Sequence, residues 1–206
     1  MYIPEHFTVE NSAWAHEIMR THSFATLVSG TTKLTASHLP LLWTSSAQGH
    51  GVIQGHMARA NSQWQDFTED VEVMAIFSGH HAYISPNWYV STPAVPTWNY
   101  AAVHAYGVPR VIDNPPTVLT LLKRMVATFD TNPERAWPND DIQEKFVQEM
   151  IPHIVAFEIP ITRLQAKAKL SQNRPAGDRT RVVAALQDSN QAEAQALAKF
   201  MRDQKL

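Results

Sequence analysis

The first 112 residues contain a series of strand-like segments whose connections are mostly too short to hold a helix. Neighbouring parallel strands require a crossover of a dozen or more residues, usually a helix. The first half of the chain therefore disfavours a parallel α/β fold and favours a small β-barrel with helices at its ends. The predicted strands are 23–29, 34–43, 50–57, 71–78, a short one at 82–85 after a break at Gly79, 99–112 and 154–165.

Helical patterns occupy the N-terminus and the second half of the chain. Proline at the first turn, after Asn114, marks the start of one helix. We predict one domain over residues 1–206, α+β and mainly β in class, with a C-terminal helical extension at about 175–206. The predicted helices are 11–21, 115–130, 141–150 and one or two more between 178 and 206, divided near Asp188.

The composition excludes several kinds of chemistry. The chain has no cysteine, which rules out disulfides, thiolate catalysis and cysteine-based zinc sites. Its N-terminus lacks the basic and apolar regions of a signal peptide, and no apolar stretch is long enough to cross a membrane. We therefore expect a cytoplasmic protein without a membrane-spanning segment.

Low charge and many tryptophans are the unusual features of the composition. Charged residues make up 17% of the chain, and six residues are tryptophan. Two explanations remain open: apolar surface covered by a second subunit or a flat ligand, or a large core with a few surface aromatics. The first explanation predicts a homodimer.

The C-terminal part of the chain is basic. Residues 163–206 hold nine basic and four acidic side chains, whereas residues 1–162 hold eight basic and fifteen acidic ones. A basic segment binds phosphate, nucleic acid or an acidic partner, so the C-terminal region is a candidate for contact with DNA. Solvated helices are often this basic.

The segment 55–61 combines donors suited to a phosphate monoester. His56, Arg59 and Asn61 lie where a predicted strand ends in a turn with exposed backbone amides. The alternative is a polar turn in which Asn61 caps the next helix.

Three further segments are rich in polar and aromatic residues. Segment 79–89 includes Tyr83 and Ser85, and its two adjacent histidines face opposite sides of a strand, which disfavours a shared metal. Segment 95–100 alternates Thr97 and Asn99 with large aromatics, a pattern typical of a planar-ring pocket or of core and dimer contacts. The third segment, 169–174, has Lys169, Gln172 and Asn173 before Pro175; it is a candidate ligand or subunit contact, or a helix-capping loop.

Known catalytic motifs are absent from the sequence. There is no nucleophile elbow, no P-loop and no glycine-rich dinucleotide fingerprint after a strand. We therefore predict no catalytic side chains and no metal site, and any redox chemistry would be that of a cofactor.

Taken in order, these segments resemble the PaiB-type family of FMN-binding split barrels. The resemblance rests on MYIPEHF at 1–7, ASHLPLL at 36–42, GHMARAN at 55–61, FSGHHAYISPNWY at 77–89, VPTWNYAAVHAYG at 95–107 and KLSQNR at 169–174. It implies a pyridoxamine-oxidase-like split barrel, a homodimer with FMN between subunits, and a negative regulator of transcription.

The resemblance also implies roles for single residues. Arg59 and Asn61 would hold the phosphate, and Thr97 and Asn99 would lie near the isoalloxazine or ribityl chain. The chain departs from the family in one place, where Asn61 is followed by Ser62 instead of proline. The full predicted FMN-binding set is His56, Arg59, Asn61, Tyr83, Ser85, Thr97, Asn99, Lys169, Gln172 and Asn173.

Three functions remain open at the level of sequence. The first is a flavin-binding regulator, although no helix-turn-helix is evident and only 178–204 is a candidate for one. The second is a flavin-dependent reductase or oxidase of a small molecule, which would need the same pocket. The third is a haem-binding split barrel, suggested by ten histidines.

Overall fold

The computed structural model of the protein describes residues 1–30, 33–47, 49–131, 137 and 141–204, with 141 and 142 described by backbone alone. The strands are β1 (Phe24–Ser29), β2 (Thr35–Pro40), β3 (Leu42–Thr44), β4 (Val52–Ala58), β5 (Val73–Ile84), β6 (Thr97–Gly107), β7 (Arg110–Ile112), β8 (Ile154–Pro160) and β9 (Arg163–Lys169). The helices are α1 (Ser12–Thr21), α2 (Pro115–Phe129), α3 (Asp141–Met150), α4 (Ala176–Gln187) and α5 (Ala192–Asp203).

The strands form two sheets. One has five strands in the order β2–β1–β5–β6–β9, and the other has four in the order β3–β4–β8–β7. β1 pairs antiparallel with β2, which places Leu27 opposite Ser37, and β4 pairs antiparallel with β8, which places His56 opposite Ala156. Two antiparallel sheets and five helices confirm the predicted α+β, mainly β class.

The predicted break at Gly79 is wrong, because β5 continues through this residue to Ile84. A Cβ at position 79 would lie 2.9 Å from the Cβ of Ala101 in β6, which is closer than such atoms approach. Glycine is therefore needed for the close approach of two backbones and not for a turn.

Three predicted strands are each divided in two. Strand 34–43 is interrupted at Leu41, whose side chain is fully buried and whose N–H donates to Ser23 O at 2.8 Å. Strand 99–112 is interrupted at Pro109, which cannot donate to a sheet ladder. Strand 154–165 ends at Pro160, and β9 begins three residues later.

The predicted helices are close to the observed ones. In α2, the side chain of Asn114 accepts hydrogen bonds from the backbone N–H and hydroxyl of Thr117, and Pro115 occupies the first turn. The predicted division near Asp188 is confirmed, since α4 ends at Gln187 and α5 begins at Ala192. None of the helices in the described ranges is long and apolar enough to cross a membrane.

The chain divides into two compact units. Unit 1 comprises residues 1–22, 77–104 and 165–206, and unit 2 comprises residues 23–76 and 105–164. Unit 1 has a core to which both α4 and α5 contribute, through Val182, Leu186, Leu197 and Ala198. The predicted C-terminal extension therefore supplies much of this core, and its last two residues lie outside the described ranges. Unit 2 has a core cluster formed by Leu42, Val118, Leu121, Met125 and Ala156.

Candidate functional site

The turn after β4, in unit 2, holds Arg59 in a fixed orientation. The backbone N–H of Arg59 donates to His153 O at 2.9 Å. Its Nε donates to Pro152 O at 2.7 Å and its Nη2 to Ile154 O at 2.8 Å. The guanidinium also lies 5.8 Å from the ring centroid of Trp64. A guanidinium has five N–H donors, so donors remain for an anion after these two bonds.

Asn61 closes the same turn. Its backbone N–H donates to Ala58 O at 2.9 Å, and its side-chain oxygen accepts from Gln63 N at 3.0 Å, which caps a short 3-10 helix over Ser62–Asp66. Its Nδ2 donates to Ser37 Oγ at 2.8 Å. The capping alternative from the sequence is thus confirmed, and Asn61 helps to fix the turn that carries Arg59.

Gln63 anchors this turn to the strands behind it, a role that was not predicted from the sequence. It is 1% exposed, and its Nε2 donates to Leu27 O at 2.9 Å and to Thr35 O at 3.2 Å. These two carbonyls belong to paired strands at the end of β1 and the start of β2. The polar-rich sequence SQWQD gave no signal for which glutamine is buried.

His56 lies within β4, before the turn that carries Arg59 and Asn61. Its ring lines an apolar cavity of about 420 Å³ together with Leu122, Phe146, Met150 and Ile154. Its Nδ1 is buried and has no hydrogen-bond partner among the described residues. Burial lowers the pKa of His56 below the usual histidine range, which leaves the ring neutral at neutral pH.

In unit 1, Lys169 is fixed against the start of β6. Its Nζ donates to Trp98 O at 2.6 Å and to the hydroxyl of Thr97. Burial, and then the charge of Lys167, lower the pKa of Lys169 below the usual lysine range. Of the predicted residues in unit 1, Thr97 and Lys169 are therefore brought together.

An exposed aromatic surface lies beside this pair. Trp98 is 53% exposed and Tyr83 is 46% exposed, with ring centroids 6.2 Å apart. The ring of His81 lies 6.3 Å from that of Trp98. We call His81, Tyr83 and Trp98 the Trp98 surface.

Asn99 is buried in unit 1. It is 1% exposed, and its Nδ2 donates to Ser171 Oγ at 2.9 Å and lies 3.7 Å from the sulfur of Met201. The alternation of β6 therefore turns Asn99 towards α5. Its contact with FMN stays a prediction, but the amide is already engaged inside the unit.

The remaining predicted residues have local contacts or are exposed. Gln172 accepts from Leu170 N at 2.7 Å and donates to Ala168 O at 2.5 Å, which shapes the turn after β9. Ser85 caps the 3-10 helix Pro86–Trp88 by accepting from Asn87 N at 3.3 Å. Asn173 is exposed. The predicted set is thus divided, with His56, Arg59 and Asn61 in unit 2 and the other seven residues in unit 1.

The donor set of the Arg59 turn fits the phosphate of a flavin nucleotide. A planar guanidinium binds a phosphate through two parallel hydrogen bonds, and its orientation here is set by two backbone carbonyls. The exposed side chain is accessible to a ligand. We therefore regard this turn as the strongest candidate for binding the anionic part of a cofactor.

Sequence comparison identifies the relatives of the chain. A family model described as "Putative FMN-binding domain" matches residues 1–163. The chain is 36% identical over 206 residues to the "Protease synthase and sporulation protein PAI 2" of Bacillus subtilis, covering 98% of this chain and 97% of that protein.

Comparison with solved structures supports the fold. The FAD and haem binding protein from Mycobacterium smegmatis aligns with a TM-score of 0.59 at 10% identity, over 84% of this chain and 78% of that one. The flavocytochrome Anf3 from Azotobacter vinelandii aligns with a TM-score of 0.58 at 11% identity, over 81% and 72%. The predicted split β-barrel is thereby confirmed; at these identities the likeness concerns the fold alone.

Proposed function

Because this chain belongs to the family of FMN-binding domains, we propose that it is an FMN-binding regulator of transcription. FMN is its cofactor. The regulatory part of the proposal is carried by one observation, the 36% identity over nearly the whole chain to a protein named for protease synthesis and sporulation. The basic residues 163–206 supply the charge that a DNA contact needs.

We assign the FMN phosphate to the Arg59 turn. The guanidinium supplies charge-assisted hydrogen bonds, and Asn61 keeps the turn in place through its bonds to Gln63 and Ser37. Thr97 and Lys169 remain candidate cofactor contacts, since they present a hydroxyl and a cation side by side. When bound, FMN supplies redox chemistry of its own.

We expect specific, salt-sensitive binding to a duplex that the protein itself selects from fragmented genomic DNA. A regulator binds its site at least about a thousandfold more tightly than random duplex, and its affinity falls steeply with salt. Fluorescence anisotropy against both duplexes over a salt series measures this. Equal affinity for the two duplexes, together with oxidation of NAD(P)H by the FMN-loaded protein, would contradict the proposal and favour a flavin-dependent reductase.

We expect a homodimer whose interface includes the Trp98 surface, because exposed aromatics in a charge-poor chain are stabilised when a second subunit covers them. Light scattering at micromolar concentration should give twice the 23.2 kDa chain mass. Trp98→Glu should shift the protein to monomer, whereas Phe129→Glu, at a 41% exposed site in unit 2, should leave the dimer intact. A monomeric wild type would end this part of the proposal.

A further inference from the structure

The cavity of about 420 Å³ that His56 lines belongs to unit 2 and is bordered by β4, β8, α2 and α3. We call it the His56 cavity. The pairing of β4 with β8 places His56 opposite Ala156, and Ala156 packs with Leu121 and Met125 of α2. Residues directly opposite each other in an antiparallel pair share one face of the sheet. His56 therefore lies on the helix-covered face, beside a side chain small enough to leave space next to the imidazole.

The wall of the His56 cavity is mainly apolar. α2 contributes Leu122, α3 contributes Phe146, Val147 and Met150, and β8 contributes Ile154. Phe146 is 62% exposed and Met150 is 44% exposed, so the cavity opens to solvent at these two side chains. Its volume falls within the range of small-molecule sites, and its wall suits a hydrocarbon or aromatic body.

The charged side chains of the surrounding elements do not enter the cavity, since its described lining contains no aspartate, glutamate, lysine or arginine. On the helices, Lys123 Nζ lies 3.8 Å from Glu144 Oε2, and Arg124 Nη1 donates to Gln54 Oε1 at 2.9 Å. The other charged side chains described on α3 and β8 also lie outside the lining: Lys145, Glu149 and Glu158. A charged ligand would lose its hydration here without gaining a counter-ion, so the cavity favours a neutral one.

His56 is the polar group of the lining that is left for a ligand. The other polar lining residue, Gln143, has an interaction of its own. A neutral imidazole has one N–H and one lone pair. Nδ1 of His56 is enclosed and has no partner among the described residues, which leaves Nε2 as the nitrogen that a ligand can reach. Enclosed acceptors are tolerated more often than enclosed N–H donors, which favours the proton on Nε2.

We propose that the His56 cavity binds a small neutral molecule with an aromatic or hydrocarbon body, whose carbonyl oxygen accepts a hydrogen bond from His56 Nε2. The described lining also lacks a cation for the propionates of a haem. Neither Arg59 nor Asn61 is a lining residue, so the site is distinct from the proposed phosphate contact, and the inference does not rest on the regulatory function. It assigns to another ligand a histidine that the sequence predicted as an FMN contact.

The test uses protein labelled with ¹³C at the methionine methyl groups, with and without bound FMN, and acetophenone as the probe. Met150 lines the His56 cavity, whereas Met201 belongs to unit 1 and serves as an internal control. We expect a saturable shift of the Met150 resonance, none of the Met201 resonance, and the same affinity with and without FMN.

Two analogues of the probe separate its hydrogen bond from its apolar body. α-Methylstyrene has a C=CH₂ group in place of the carbonyl and almost the same shape. It should bind about fivefold more weakly, because it forgoes one hydrogen bond. Benzoate keeps the ring and the oxygens but is an anion, and it should not bind because the cavity offers no counter-ion.

His56→Leu removes the donor and keeps a side chain of similar size. This variant should bind acetophenone and α-methylstyrene equally, and a ratio of affinities is not moved by a general change in the cavity. His38→Leu is the matched control, since His38 is exposed on β2 in the same unit and outside the lining, and it should keep the fivefold preference. Unchanged resonances of Met19 and Met74, one in each unit, establish that the variants are folded.

Several outcomes would overturn the inference. They are a Met150 resonance that does not respond to acetophenone, equal binding of acetophenone and either analogue by the wild type, and a preference for the ketone that survives in His56→Leu. Displacement of FMN by acetophenone would make the cavity part of the cofactor site and would also overturn it. A Met150 resonance that shifts on dilution of the protein, and not with the probe, would assign this surface to a second copy of the chain instead.

Discussion

Replacement of Arg59 by alanine should weaken FMN binding by about 2–4 kcal/mol, the range for removing one partner of a hydrogen-bonded charge pair that is buried in the complex. The substitution takes a fixed guanidinium away from a phosphate dianion. It also removes the bonds to Pro152 O and Ile154 O, but these carbonyls lie in exposed contacts and gain water instead. Titration of the apoprotein, followed by flavin fluorescence, measures the loss.

Two controls separate a phosphate contact from general damage. Arg59→Lys should recover only part of the affinity, because an ammonium group is a point charge and lacks the planar fork. Riboflavin, which has no phosphate, should bind wild type and Arg59→Ala with nearly equal affinity. If Arg59→Ala binds FMN as tightly as wild type, Arg59 only fastens the turn to the backbone of residues 152–154 and the phosphate assignment fails.

The sequence predicted the elements of the fold well because its local signals are strong. Proline and asparagine caps, alternating apolar residues and short turns gave both the strand-rich first half and the helices. The error at Gly79 has a physical cause: glycine signals a turn when only neighbours in sequence are considered, whereas here it allows β6 to approach β5. That contact joins residues 22 positions apart and has no local signature.

The candidate site was predicted less completely, since burial depends on distant segments. The alternation in segment 95–100 correctly places Asn99 and Trp98 on opposite faces of the strand. The face that carries Asn99 is covered by α5, which comes about 90 residues later in the chain. The burial of Gln63 could not be predicted for the same reason. Its two acceptors become neighbours only through the pairing of β1 with β2, so that its sequence context is that of an ordinary polar turn.

Substitution of Gln63 by glutamate should therefore destabilise the protein strongly although it scarcely changes the shape of the side chain. The amide donates to two carbonyls, and its own oxygen is buried with no donor among the described residues. An ionised carboxylate has no proton to donate and would face those carbonyl oxygens without compensation. The folded protein should hold the new carboxyl neutral, with its pKa raised above that of the unfolded chain.

The loss of stability in Gln63→Glu should increase as the pH rises. At low pH the carboxyl is protonated in both states, and one lost hydrogen bond costs about 1 kcal/mol. Above the unfolded pKa of about 4.3 the unfolded chain ionises first, so the free energy of unfolding falls by about 1.4 kcal/mol for each further pH unit. This fall continues until the folded pKa is reached. At pH 7 the electrostatic part of the loss should approach about 4 kcal/mol.

Urea unfolding of Gln63→Glu and wild type between pH 4 and 8 tests this expectation, with Gln65→Glu as the matched control. Gln65 lies in the same 3-10 helix but is exposed, so its substitution should change the free energy of unfolding little at any pH. A difference between the two variants that grows as the pH rises identifies Gln63 as the buried anchor of the Arg59 turn. If the free energy of unfolding changes with pH in the same way for the two variants, Gln63 is not this anchor. A carboxyl that ionises freely in the folded state cannot be enclosed between the carbonyls of Leu27 and Thr35.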